Sequence, residues 1–167
     1  MMNSALRKFI FHDLHTVEGY IDPPDALVFL SLLQGQNNGG FAGGIAEIGV
    51  FYGRSYFLFR KIVGEKSKIV AIDLFDIGEG GNGELPQYAR FLANGRRLGI
   101  PVDEDLIITG DSTQLQAKEI VERAGRIRFF SIDGGHMLSH VAADSGLAMA
   151  SLAGHGIIAF DDTFNPA

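Results

Sequence analysis

Five carboxylates in this 167-residue chain stand at or just after the ends of short apolar runs, where a buried strand seldom carries charge: Glu47, Asp73, Asp133, and the pair Asp161 and Asp162. The first opens the segment Glu47-Ile48-Gly49-Val50-Phe51-Tyr52-Gly53-Arg54-Ser55. Glycines four apart after a strand permit a tight turn and close approach of a ligand to the main chain, and the helix that follows offers its N-terminus to anions. Glu47, Gly49, Tyr52, Gly53 and Ser55 are therefore candidate cofactor contacts, with a plain strand-to-helix turn as the alternative. A dinucleotide loop would show G-x-G-x-x-G; the spacing Gly49-x-x-x-Gly53 argues against a nicotinamide oxidoreductase.

Asp73 ends the second run, 24 residues after Gly49. An acid at that strand end can accept both ribose hydroxyls of an adenosine-containing cofactor; a turn or helix cap is the alternative. After the third run, Asp111 is placed to take an adenine amino group and Ser112 adds a polar contact, though both residue types are also good helix caps. Asp133, Asp161 and Asp162 end the fourth and fifth runs. If those runs pair in parallel, about 4.8 Å apart, the three carboxylates open on one face. Their repulsion would be relieved by a hard cation such as Mg²⁺, or by separate roles in capping and in solvent. His136, in Asp133-Gly134-Gly135-His136, is the candidate general base. His136 and His140 have a zinc-like i, i+4 spacing without the Glu of a zincin motif, and His12, His15 and His155 read as surface or packing residues.

The elements that must hold these residues follow from hydrophobic pattern. The apolar runs 44–48, 68–74, 105–109, 127–132 and 156–160 are continuous rather than alternating, as in strands buried on both faces. Helical patterns occupy 55–63, 113–124 with Ser112 as its cap, and 139–153 with Gly154 as its stop. A lead-in helix is expected over 24–33. Glycine-rich 75–86 reads as an active-site or surface loop. Strands alternating with helices mean an α/β fold. At this length a single domain over 1–167 is expected, with lead-in helices in 1–40 and the cofactor-binding core in 41–167.

Net charge of −6, with no Lys/Arg run beyond two residues, leaves no basic surface for a nucleic acid backbone. No cysteine is present, so disulfides and thiolate metal sites are excluded, which suits a reducing cytoplasm. No apolar stretch nears the roughly 20 residues that span a bilayer. A cytoplasmic protein away from membranes is expected.

The ordered set Glu47-x-Gly49-x-x-x-Gly53-x-Ser55, Asp73, Asp133-Gly134-Gly135-His136 and Asp161-Asp162 resembles the class I methyltransferases, in particular the macrocin-type sugar O-methyltransferases and cephalosporin-hydroxylase-like proteins. The resemblance covers about residues 40–165. It implies a Rossmann-like sandwich with strand order 3-2-1-4-5 and S-adenosylmethionine as cofactor. By matching position, the methionine part lies near Glu47 and Gly49, the ribose on Asp73 and adenine near Asp111, with Ser112 and Asp133 also on the cofactor. It further implies Mg²⁺ on Asp133, Asp161 and Asp162, His136 as base, and a small-molecule hydroxyl acceptor, such as a sugar or glycoside. Family members carry two more strands, so a C-terminally shortened domain is expected, with the fifth strand an edge bearing Ile157, Ile158 and Phe160. Pairing with a second copy is one expected use of that edge, and a non-catalytic cofactor-binding module is the rival to an active enzyme.

Overall fold

The computed structural model describes residues 2–77 and 85–161. In chain order the elements are α1 (Ser4–Lys8, continued by a π turn Phe9–Asp13 and a 3-10 turn Leu14–Thr16), α2 (Pro23–Asn38), β1 (Gly44–Ile48), α3 (Arg54–Val63), β2 (Ile69–Asp73), α4 (Gln87–Leu98), β3 (Ile107–Thr109), α5 (Ala117–Ala124), β4 (Ile127–Ile132), α6 (Leu138–Ser151) and β5 (Leu152–Phe160). They fall into two compact units. The helical unit comprises Met1–Gly40, Phe51–Lys66 and Phe75–Asp103; the sheet unit comprises Phe41–Val50, Ser67–Leu74 and Glu104–Ala167.

The sheet unit holds five strands in the order β3-β2-β1-β4-β5. Each neighbouring pair is parallel, with Glu47 opposite Ala71 on one side and Ser131 on the other. The α/β architecture and strand order expected from the sequence are thus observed. Every residue of β1 and β4 is buried, as continuous apolar runs require of central parallel strands. One sheet face packs Ile48, Ile72, Phe130 and Ile132 against Ile120 of α5 and Leu147 of α6. Removing a side chain such as Phe130 from water contributes about 1.5–3 kcal/mol. On the other face Ile45, Ile69 and Phe129 are equally inaccessible. Among the described residues β5 is a sheet edge, and its Phe160 is exposed.

In the helical unit the rings of Tyr56, Phe57, Phe75 and Phe91 form one aromatic cluster, with edge-to-face and stacked geometries at centroid separations of 5.1–5.8 Å. Pro23 opens α2, where its missing N–H is no loss, and the Asp22 N–H donates to Asp25 Oδ2 at 3.2 Å. Helix α4 was not expected from the sequence. It follows Pro86 and stops at Gly99, whose φ of 64° ends it in a left-handed turn.

Several boundaries differ from expectation. Helix α5 begins at Ala117 rather than near 113, because Asp111 caps a separate 3-10 turn over Ser112–Gln114. Ser112 is therefore not the helix cap; the Gln116 N–H donates instead to Glu119 Oε1 at 3.0 Å. β3 is shorter than the apolar run, whose start forms a 3-10 turn Glu104–Leu106. β5 begins at Leu152, directly after α6, so Gly154 lies within the strand and does not stop the helix. Most of the glycine-rich loop, 78–84, lies outside the described residues.

Candidate functional site

Four backbone hydrogen bonds arrange the strand ends of the sheet unit in one row. The Gly49 N–H donates to the Ile72 carbonyl, Gly110 to Asp73, Asp133 to Ile48, and Asp161 to Ile132, all at 2.9–3.0 Å. The parallel ladder thereby continues one residue past β1, β3, β4 and β5. Gly49, Asp73, Gly110, Asp133 and Asp161 are brought to the same carboxyl edge of the sheet, where open α/β sheets bind ligands.

Two of these positions are glycines in opposite surroundings. Gly49 has φ +82°, and a Cβ there would stand 1.8 Å from the Asp133 carbonyl oxygen. β1 and β4 can close on one another at their ends only because residue 49 has no side chain. At Gly110 an added Cβ would meet nothing within 4 Å, so the main chain beside Asp73 borders open space.

Asp73 is half-buried at the end of β2, and Asp133 likewise after β4. Glu47 is fully buried in the middle strand. Asp111 is exposed, and its Oδ1 accepts from the Thr113 N–H at 2.9 Å and from the Thr113 hydroxyl at 2.8 Å. Those two bonds hold its carboxyl below the ordinary aspartate value. Of the two roles read for Asp111, capping is the one its hydrogen bonds display. Ser112 beside it is half-buried, and His136 is exposed in the turn before α6.

The rest of the glycine loop belongs to the helical unit. Phe51 adopts a left-handed φ of 53°, and α4 holds the turn in shape. The Gln87 side chain donates to the Phe51 carbonyl at 3.2 Å and Asn94 to the Tyr52 carbonyl at 3.0 Å. Tyr52 is buried with the Arg90 guanidinium 3.7 Å from its ring centroid. A Cβ at Gly53 would meet Phe57 and Phe91 at 2.6 Å, so this second glycine serves packing as well as the turn. Ser55 sits half-buried in the first turn of α3.

The expected magnesium set is represented by Asp133 and Asp161 at adjacent strand ends, and Asp162 lies outside the described residues. Among the described residues no group of three or more His, Cys, Asp or Glu side chains is placed to hold a metal. Asp133 and Asp161 supply two of the three carboxylates expected for magnesium. The same finding leaves His136 and His140 without a third zinc ligand among the described residues. His140 instead packs on Gly135, where a Cβ would stand 2.1 Å from its Nδ1.

One buried acid escaped the sequence reading. Asp144 of α6 is completely inaccessible. Burial pushes its pKa up, the Ser112 hydroxyl and the His140 imidazole draw it back, and Asp111 raises it again. Its sign in the sequence is its place between Val141 and Leu147, on the stripe expected to be apolar. Among the described residues no helix is long and apolar enough to cross a membrane.

Residues 46–163 match the model of a family described as a methyltransferase domain. No curated protein matches the chain. Among solved structures, a protein assigned as a caffeoyl-CoA O-methyltransferase from Staphylococcus aureus is 18% identical with a TM-score of 0.63; the match covers 95% of this chain and 66% of that one. The SAH-bound methyltransferase PaMTH1 of Podospora anserina is 17% identical with a TM-score of 0.55, covering 96% of this chain and 62% of that one. The chain thus spans less than two thirds of the length of either neighbour, and at these identities the likeness is one of fold.

Proposed function

The chain belongs to the methyltransferase domain family, and on that premise we propose that it transfers the methyl group of S-adenosylmethionine to a hydroxyl of a small molecule. The observation that carries the reading is the hydrogen-bonded row of strand ends, with half-buried Asp73 beside Gly49 and beside the open space at Gly110. These residues fit an adenosine-containing cofactor: a carboxylate for the ribose hydroxyls and main chain with no side chain in the way. That the Podospora neighbour holds SAH is in keeping with this assignment.

When bound, the cofactor would supply an electrophilic methyl on a sulfonium, its sulfur–carbon bond breaking as the acceptor oxygen bonds to that carbon and the sulfur keeping the electron pair. The protein's part is mainly to align the two reactants, which is the larger share of what such a displacement needs. Asp73 accepts the ribose hydroxyls, Gly49 lets the main chain approach the methionine part, and Asp111 and Ser112 border adenine. His136, exposed at the same edge, takes the proton leaving the acceptor hydroxyl. A sugar or glycoside acceptor, and the macrocin-type and cephalosporin-hydroxylase-like subgroup, belong to this proposal on the strength of the motif set alone. So does Mg²⁺ on Asp133, Asp161 and Asp162.

A thermal-shift comparison tests the cofactor class. S-adenosylhomocysteine at 100 times its dissociation constant should stabilise the fold by about 2.7 kcal/mol, while NAD should leave the melting temperature unchanged. Stabilisation by NAD and none by S-adenosylhomocysteine would overturn the proposal.

A further inference from the structure

Both glycines of Asp133-Gly134-Gly135-His136 lie against one face of α6. A Cβ at Gly135 would stand 2.1 Å from His140 Nδ1, and one at Gly134 would stand 3.1 Å from Asp144 Oδ2 and 2.8 Å from Ile48 Cγ2. His140 and Asp144 are four residues apart on the helix, so one turn of α6 presents an imidazole and a carboxylate side by side to the turn that carries Asp133 and His136. The pair of glycines is what admits them. A side chain at 135 would have to push the His140 ring aside, and one at 134 would crowd Ile48 and Asp144.

Asp144 is fully inaccessible, and neither of its oxygens has a hydrogen-bond partner at normal distance. A buried carboxylate left that way costs free energy, so its retention calls for a compensating role. Its surroundings are polar on three sides: Ser112 and Asp111 from the turn after β3, His140 from its own helix, and the Gly134 main chain from the turn after β4. These are the two turns to which the adenine end of the cofactor and the general base were assigned.

We propose that Asp144 is a positioning residue of the methyl-transfer site, fixing the Ser112 turn and the Gly134–Gly135 turn relative to one another from beneath. The proposal rests on the cofactor reading above. Asp144 touches no reactant; it acts through the Ser112 hydroxyl and the Gly134 main chain, and the cofactor's adenine end and His136 share one buried reference point. Nothing on the exposed surface of Ser112 or His136 would reveal the link.

A double-mutant cycle on S-adenosylhomocysteine affinity, measured by calorimetry, tests it. Asp144→Ala should weaken binding about tenfold and Ser112→Ala several-fold, and the double variant should bind no more weakly than Asp144→Ala alone. Asp144→Asn, which keeps one acceptor oxygen, should recover much of the loss. Unchanged affinity in Asp144→Ala, or losses that multiply in full in the double variant, would overturn the proposal. If Asp144→Ala does not fold, Asp144→Leu, which fills the space without an acceptor oxygen, replaces it in the cycle with the same criterion of non-additivity. Should the wild type bind no S-adenosylhomocysteine, the cofactor reading fails, and the amide NMR shifts of Asp144→Asn decide the positioning role separately. Joint shifts at Ser112, Gly134 and Gly135 uphold it; shifts confined to α6 overturn it.

Discussion

Gly49 illustrates how much a single position can carry. Its φ of +82° is unfavourable for a residue with a Cβ, and the Cβ would also fall 1.8 Å from the Asp133 carbonyl oxygen, a backbone atom that cannot swing aside. Gly49→Ala should therefore destabilise the fold by about 3 kcal/mol or more, adding backbone strain to overpacking, as read by urea unfolding. A loss below about 1 kcal/mol, the low end of what such strain costs, would mean that β1 and β4 are not locked at their ends. That Gly49 and Asp73 stand at strand ends was legible because it follows from the spacing of apolar runs along the chain. Asp144 was not, since an acid within a helix of small residues shows its burial only once the Gly134–Gly135 turn is laid over it.

The same division holds for the elements. β1 and β4 were read with their observed limits because a central parallel strand is buried on both faces, which makes it apolar along most of its length, Glu47, Arg128 and Ser131 being the buried exceptions. Helix α4 was missed because its apolar side is narrow, with Gln87, Asn94, Arg96 and Arg97 interleaved. The signals were nevertheless present: Pro86 before it, Gly99 after it, and Phe91 and Gly95 one turn apart. The start of α5 was misplaced because Asp111 and Ser112 resemble a helix cap, and only hydrogen bonding separates a 3-10 turn from the helix that begins at Ala117. Within α6, Gly146 is exposed and a Cβ there would meet nothing within 4 Å. Gly146→Ala should raise stability by about 0.8–1 kcal/mol from helix propensity alone, seen as a higher urea midpoint with an unchanged slope. A decrease would show that this face of α6 is covered in solution.

For the whole molecule, the parallel sheet in the order β3-β2-β1-β4-β5 brings the turns after its strands to one carboxyl edge, and residues 46–163, which match the methyltransferase domain family, include all of those turns. The sheet accounts for the way residues distant in sequence, Gly49, Asp73, Asp133 and Asp161, can serve one ligand. Recognition of the acceptor belongs to side chains that differ among proteins sharing a fold. Calorimetric titration of S-adenosylhomocysteine into the wild type and into Asp73→Ala tests the central claim most directly. Saturable one-to-one binding by the wild type, weakened at least tenfold in a folded Asp73→Ala, is the predicted result. No heat of binding to the wild type at high protein concentration, or equal affinity in both proteins, would contradict it.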